Sequence, residues 1–366
     1  MNKNKTTLLI FVLVIAALAG WWFSNKPVPK GAIKIGAILP LSGDFAQFGE
    51  AVNQGALLAT DEAKSQGLTV NYNAQDDKSN AVGSANAANN LVSVFHADGI
   101  MTVTVQEVKP VASIFGNSSI PLLAVWDSNN YIKTAGPNIF TIGFSTEDAG
   151  GKMATYLLNT LHIKIVAVLS QKDEWSQLIA SAFADKFKAL GGTVALNESL
   201  QPTQKDFRTE LAKIKNSSAQ ALYFPFLPGS IAPLLVQAKQ LGLTTIFATG
   251  DSMSPDEVTQ ANGATENLYF TNLYSDNGAA LAATYKTKYG KDAGDPVFIS
   301  MGYDGMKTIL AAVGIAQNKH VAMPDALRQV NIKGTDYQIN FGGKQYSEKY
   351  ERLYKVVNGQ FVQIGN

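Results

Sequence analysis

The chain contains no cysteine, which excludes disulfides, thiolate nucleophiles and cysteine metal centres together. Its 366 residues are therefore held by packing alone, and that length suffices for two hydrophobic cores. Histidine is scarce as well: His96, His162 and His320 stand far apart, each at the expected end of a helix, where a basic side chain meets the macrodipole favourably. A surplus of charge is missing, since 30 basic residues face 29 acidic ones. That balance argues against nucleic acid as a partner, because phosphate-binding proteins display a basic face. Glycine-rich phosphate loops, HExxH zinc helices and GxSxG nucleophile turns are all absent. Fixed-period repeats and low-complexity tracts are absent too. An enzyme is not expected from this inventory, nor is a cofactor or a bound metal.

What is present begins with export. Lys3 and Lys5 precede an uncharged stretch, Thr6 to Ser24, with an apolar centre from Leu8 to Ile15. That pattern predicts either a cleaved secretory signal, with Ala17-Leu18-Ala19 as the cleavage site, or an uncleaved anchor whose Trp21, Trp22 and Phe23 sit at the membrane interface. Trp21 occupies the place where a lipoprotein signal would carry its lipid-bearing cysteine, so lipid attachment there is excluded. Residues 1–30 are accordingly assigned to this segment and its linker, Val28-Pro29-Lys30-Gly31. The destination is the periplasm, or the outer face of the cytoplasmic membrane.

After the linker, strand and helix patterns alternate, which predicts an α/β chain with mostly parallel sheets. The apolar run Ile33, Ile35, Ala37, Ile38, Leu39 reads as a strand buried on both faces. Leu41-Ser42-Gly43-Asp44 breaks it, and Val52, Gly55, Ala56, Ala59 and Ala63 then predict a helix opening near Gln47, whose free N–H groups point back at a ligand-sized turn. Further strands are expected at 68–72, 99–104, 121–125, 163–169, 193–199, 219–224, 245–248 and 268–271. Ser254-Pro255-Asp256-Glu257 has the form of a helix cap followed by acids in the first turn, and Gly191-Gly192 that of a helix stop.

The segment from Pro40 to Gly49, PLSGDFAQFG, resembles the opening of the periplasmic branched-chain amino acid-binding proteins, the type I solute-binding family of ABC importers. Asp76-Asp77, Lys205-Asp206-Phe207 and Gly302-Tyr303-Asp304-Gly305-Met306 extend the resemblance in order along the chain. It implies two doubly wound parallel-sheet lobes joined by three hinge crossings, expected near Phe144, Thr271 and Thr335. Lobe 1 would then comprise residues 31–144 and 272–335, and lobe 2 residues 145–271 and 336–366.

The resemblance also nominates ligand-binding residues, in loops at the carboxyl ends of strands where open α/β sheets bind their ligands. Phe48 matches an aromatic wall, although a hydrophobic staple at the helix start explains it equally well. Where the family presents hydroxyls to a ligand carboxylate, this chain has Thr104, Val105, Gln106 and Glu107. Gln106 has an amide to donate, whereas Glu107 would repel a carboxylate unless it turned away. Trp126, Asp127 and Ser128 follow the next strand, where Trp126 either stacks on ligand or plugs the core. Trp175 matches a covering aromatic and Asp251 an acid that receives an ammonium group. Leu227 and Phe298 match apolar pocket positions. The expected function is that of a monomeric extracytoplasmic receptor for a small polar solute, foremost a branched-chain or hydrophobic amino acid, delivering it to an ABC permease by hinge closure. Sensory signalling to a membrane partner, or an amide, urea-like or aromatic-acid ligand, are the alternatives.

Overall fold

The structure, a computed structural model, describes residues 31–116, 118–273, 275–347 and 349–365. The N-terminal segment expected to be a signal or anchor lies outside the described residues. Among those described, no helix is long and apolar enough to cross a membrane.

Two main sheets organise the chain. Ile33–Leu39 (β1), Val70–Asp76 (β2), Gly99–Thr102 (β3), Leu122–Ala124 (β4) and Ile139–Thr141 (β5) form an all-parallel sheet in the order β2-β1-β3-β4-β5. Ile165–Gln171 (β6), Thr193–Leu200 (β7), Ala221–Tyr223 (β8), Ile246–Thr249 (β9) and Tyr269–Asn272 (β10) are parallel strands of a second sheet. Asn331–Lys333 (β11) and Gln338–Asn340 (β12) pair with each other in a small antiparallel ladder. Arg352–Val357 (β13) and Gln360–Gly365 (β14) then complete the second sheet, whose order is β14-β13-β10-β9-β8-β6-β7, by antiparallel pairing on β10. The nine apolar runs of the sequence supply β1–β4 and β6–β10. Of the strands that periodicity did not indicate, β5 is short and β14 half-exposed.

The helix Ala46–Ser65 opens one residue before Gln47 and buries Val52, Gly55, Ala56, Ala59 and Ala63 as their spacing predicts. Its partner is the long helix Pro296–Lys319, and two glycines set how close they come. A Cβ at Gly55 would lie 1.8 Å from the Ile299 carbonyl oxygen, and one at Gly302 would lie 1.9 Å from that of Val52. His96, His162 and His320 all sit at or just past helix ends with positive φ, at 54°, 56° and 53°. Ser254 departs from expectation: its side chain makes no capping bond. Glu257 does not serve its own helix end either, but turns inward to accept the N–H groups of Gly229 and, at 2.7 Å, Ala232.

The chain leaves β5 at Phe144 for the helix Thr146–Thr155, and leaves β10 for the helix Asp276–Tyr289. The segment after Thr335 still belongs with the first sheet. Ile339 and Phe341 lie in its core, Phe341 meets Phe140 edge-on at 5.8 Å, and Tyr346 and Lys349 bridge to Thr141 and Phe144. We therefore place the third crossing near Tyr350, just before β13, rather than at Thr335.

Replacing Gly55 by valine should force the two helices apart and cost about 1–3 kcal/mol or more, the usual range for overpacking a tight core. Chemical denaturation of the variant checks this. An unchanged unfolding midpoint would show that the helices do not rely on this close approach.

Candidate functional site

The carboxyl ends of the two parallel sheets face a cleft of about 460 Å³, a volume suited to a small organic ligand. Its first wall starts at the turn after β1. Asp76, at the end of β2, accepts the N–H groups of Leu41 and Ser42 at 3.0 and 3.1 Å and the Ser42 hydroxyl at 2.6 Å. Burial opposes its charge, but these bonds and that from Lys78 hold the carboxyl below its usual range. The N–H groups of Ala46, Phe48 and Gly49 are bonded to Gly43 and Phe45 carbonyls. This helix start therefore gives the cleft its rings, Phe45 and Phe48, rather than the ligand-facing donors that the sequence led us to expect.

The loop after β3 is similarly self-contained. Glu107 folds back as a cap, with one carboxylate oxygen accepting both the Thr104 N–H at 2.6 Å and the Thr104 hydroxyl at 2.8 Å. Asp127, arriving from the end of β4, accepts the Val105 N–H at 2.7 Å, and the Gln106 N–H donates to the Thr104 hydroxyl oxygen at 3.1 Å. Two protein carboxyls thus occupy the donors of this helix terminus. Burial pushes both Glu107 and Asp127 up to about 7, outweighing the bonds from Thr104 and Val105.

Aromatic rings supply the apolar surface. Phe298, in the first turn of the helix Pro296–Lys319, stacks on Trp126 at 4.1 Å and 7° and lies 4.7 Å from Phe48. Trp126 meets Phe144 edge-on at 4.9 Å. From the second sheet's side, Trp175 projects from the helix Glu174–Ala189, which Asp173 caps through the Ser176 N–H at 2.8 Å. Its ring covers Gly250, where a Cβ would stand 3.4 Å from it. At the edge of the cleft, Lys109 pairs with Glu174, both roughly half exposed.

Asp251 follows β9 and is 4% exposed, yet neither of its carboxylate oxygens has a hydrogen-bond partner. Its loop is fixed by Asn272, whose amide donates to the main-chain oxygens of Asp251 and Met253 at 2.9 Å each. Behind it stands Glu351, at the third crossing, equally buried and with both oxygens unpartnered. The Tyr223 and Thr271 hydroxyls are buried without partners as well. Burial raises the pKa of Asp251, and polar contact with its own main-chain N–H, with the Glu351 carboxyl and with the Trp175 indole offsets only part of that. Burial, and then repulsion from Asp251, raise Glu351 well above the usual range. Lys152 relieves this only in part, since its ammonium donates to the main-chain oxygen of Glu351. Two adjacent carboxyls without donors are compatible when one holds a proton, or when a cation arrives between them and the cleft.

Of the residues nominated from the sequence, Phe48, Thr104, Gln106, Trp126 and Asp127 line the cleft from the first sheet's side, with Phe298 on the long helix. Trp175, Leu227 and Asp251 line it from the second. Ser128 does not: it is fully buried below the surface, its N–H bonded to the Phe144 carbonyl at 2.7 Å. Sequence reasoning missed Glu351, which carried no signal, and Asp295, which carried one. An acid before Pro296 at a helix start is a capping pattern, and Asp295 accepts the Val297 N–H at 2.8 Å while facing the cleft.

A family model of periplasmic binding proteins matches residues 32–355. Among curated relatives, an amino acid binding protein of Pseudomonas aeruginosa is 28% identical over 63% of this chain and 63% of its own length. A leucine-, isoleucine-, valine-, threonine- and alanine-binding protein of the same organism is 25% identical over 93% of this chain and 94% of its own. Among solved structures, a leucine-binding protein of Thermotoga maritima superposes with a TM-score of 0.77 at 24% identity, covering 91% of this chain and 98% of that one. A solute-binding protein of a Rhodopseudomonas palustris ABC transporter, in complex with benzoate, gives 0.76 at 19% identity over 92% and 96%. These neighbours share the type I periplasmic-binding fold, which is the fold of this chain.

The raised acids fix a sign for the pH dependence of stability. A carboxyl whose pKa is raised by folding keeps its proton after the unfolded chain has lost its own, so the folded state binds more protons and stability falls as pH rises. The ligand-free protein is therefore expected to melt at a lower temperature at pH 8 than at pH 5. Asp251→Asn, which gives Glu351 an amide donor, should stabilise the ligand-free protein by about 1–3 kcal/mol at pH 8 and much less at pH 5. Thermal melts of both proteins across that range provide the check.

Proposed function

The chain belongs to the periplasmic binding protein family, and on that premise we propose that it is the extracytoplasmic solute receptor of an ABC importer. It captures a small nitrogen-bearing organic solute between its two sheets, closes over it by hinge rotation about the three crossings, and presents the closed form to a membrane permease. It does so as an exported monomer and performs no chemistry on the solute. The observation that carries this reading is Asp251, a buried carboxyl in the cleft whose oxygens have no partner in the protein. Such a group is costly unless a ligand supplies the missing donors. An ammonium or amide nitrogen does so, and because relatives are named for binding amino acids, those are the solutes to try first. Closure is a matter of differential affinity: a solute that touches both Trp126 and Trp175 binds the closed form better and shifts the population towards it.

Mass spectrometry of material released by denaturing the purified protein should identify the solute, chemically unchanged. Small-angle scattering should show a more compact particle when that solute is bound, and identical dimensions would count against hinge closure. Asp251→Ala is expected to weaken binding by about 2–5 kcal/mol if the nitrogen is a buried ammonium. Asp251→Asn should be severe for an ammonium and mild for a neutral amide. If calorimetry finds both variants binding as tightly as the parent, Asp251 has no part in recognition.

A further inference from the structure

The cleft's charge is one-sided. Its side chains include the carboxyls of Glu107, Asp127, Asp173, Glu174 and Asp251, with Asp256 and Asp295 beside them, and among the described residues no lysine, arginine or histidine lines it. Two lysines at its margin are already committed. Lys109 pairs with Glu174, and Lys152 donates to the main chain at Glu351.

Backbone donors that would receive an anion are equally committed. The Thr104 and Val105 N–H groups hold Glu107 and Asp127, the Ser176 N–H holds Asp173, and the Val297 N–H holds Asp295. The helix starts after β3, at Glu174 and at Pro296 thus each carry a carboxyl where a ligand carboxylate would bind, while at the start of the helix Ala46–Ser65 main-chain carbonyls take the N–H groups of Ala46, Phe48 and Gly49. Gln47 and Gln106 keep side-chain amides, but both are solvent-exposed, and carboxyls outnumber them around the cleft.

Resting on the receptor reading above, we propose that the solute is a small organic cation without a carboxylate, an alkyl- or arylamine in place of an amino acid zwitterion. Asp251, with Glu351 behind it, supplies the counter-charge for the nitrogen. The Trp126–Phe298 stack, Phe48 and Trp175 supply apolar and π surface that attracts both a hydrocarbon body and a cationic head. A bare metal ion fits less well, because among the described residues no three acids or histidines are grouped with metal-binding geometry.

The test pairs each amino acid with its decarboxylated counterpart on the full-length chain. Calorimetry and thermal shift would compare 3-methylbutylamine with L-leucine, and 2-phenylethylamine with L-phenylalanine, using isovaleramide and benzoate as neutral and anionic controls. The amines are expected to bind at least tenfold tighter than the matched amino acids, and the controls weakly or not at all. An amino acid, isovaleramide or benzoate that binds as tightly as the amines overturns the cation assignment and leaves the receptor reading intact. If none of these probes binds and no solute is released on denaturation, both fall. A second arm uses Glu107→Ala combined with Asp127→Ser, which frees the Thr104 and Val105 N–H groups. In a folded variant, judged by circular dichroism, the preference for amine over amino acid should shrink at least fivefold. An unchanged preference would show that those carboxyls do not exclude the ligand carboxylate.

Discussion

The ion pair between Asp304 and Lys349 holds the layout of the cleft together. Both side chains are almost fully buried and lie 3.0 Å apart, unlike the exposed or half-exposed pairs elsewhere among the described residues. Asp304 also accepts the N–H and hydroxyl of Thr335, each at 2.8 Å. One carboxylate therefore ties the long helix to the segment after β11 and to the third crossing. Losing either partner would strand a charge in the core, at a cost of about 3–5 kcal/mol. Two residues beyond Lys349 stands Glu351, so this pair also decides where the second carboxyl behind the cleft can sit. The Gly-Tyr-Asp-Gly-Met segment that contributed to the resemblance is thus architectural here. Gly302 admits the neighbouring helix, Asp304 pins the crossing, and Gly305 faces Val125 across a gap that leaves no room for a Cβ.

Much of the fold was legible because buried parallel strands write themselves as continuous apolar runs, and β1, β3, β6 and β8 are plain examples. The third crossing was not legible, since 336–349 contains one short strand and little periodicity, and its allegiance is decided by contacts such as Phe341 with Phe140. The site was legible where a residue type follows a strand end, as for Trp126, Trp175 and Asp251. It was illegible where function depends on direction. Ser128 and Asp127 are neighbours in sequence, yet one is sealed beneath the surface while the other reaches the cleft as a cap. Glu107, read as a repulsive group unless it turned away, has turned inward and acquired two donors. Glu351 comes from the far end of the chain, and no local pattern marks a residue brought in by a β-strand that joins the sheet from the opposite direction.

The acids of the cleft divide into two kinds. Asp173 and Asp295, like Asp76 behind the first wall, finish loops and helix ends, where each accepts backbone N–H groups. Asp251 and Glu351 cap no helix or loop, and their carboxylate oxygens are buried without a donor. Their burial is a standing electrostatic cost in the empty state, and natural proteins retain such costs at sites where a partner later removes them. Asp127 stands between the two, buried and capped yet facing the ligand space.

The Lys109–Glu174 bridge joins a helix of the first layer to a helix of the second across the edge of the cleft. With both side chains roughly half in water, it is worth at most about 1 kcal/mol, and less as salt is added. A clasp of that strength changes the ratio of shut to open by about fivefold at most. Under the proposed hinge closure it would act chiefly on how long the door stays closed, and so on the residence time of a captured molecule. Dilute and salty surroundings would then give one receptor two different tempos of release, with the chemistry at the floor of the cleft unaltered.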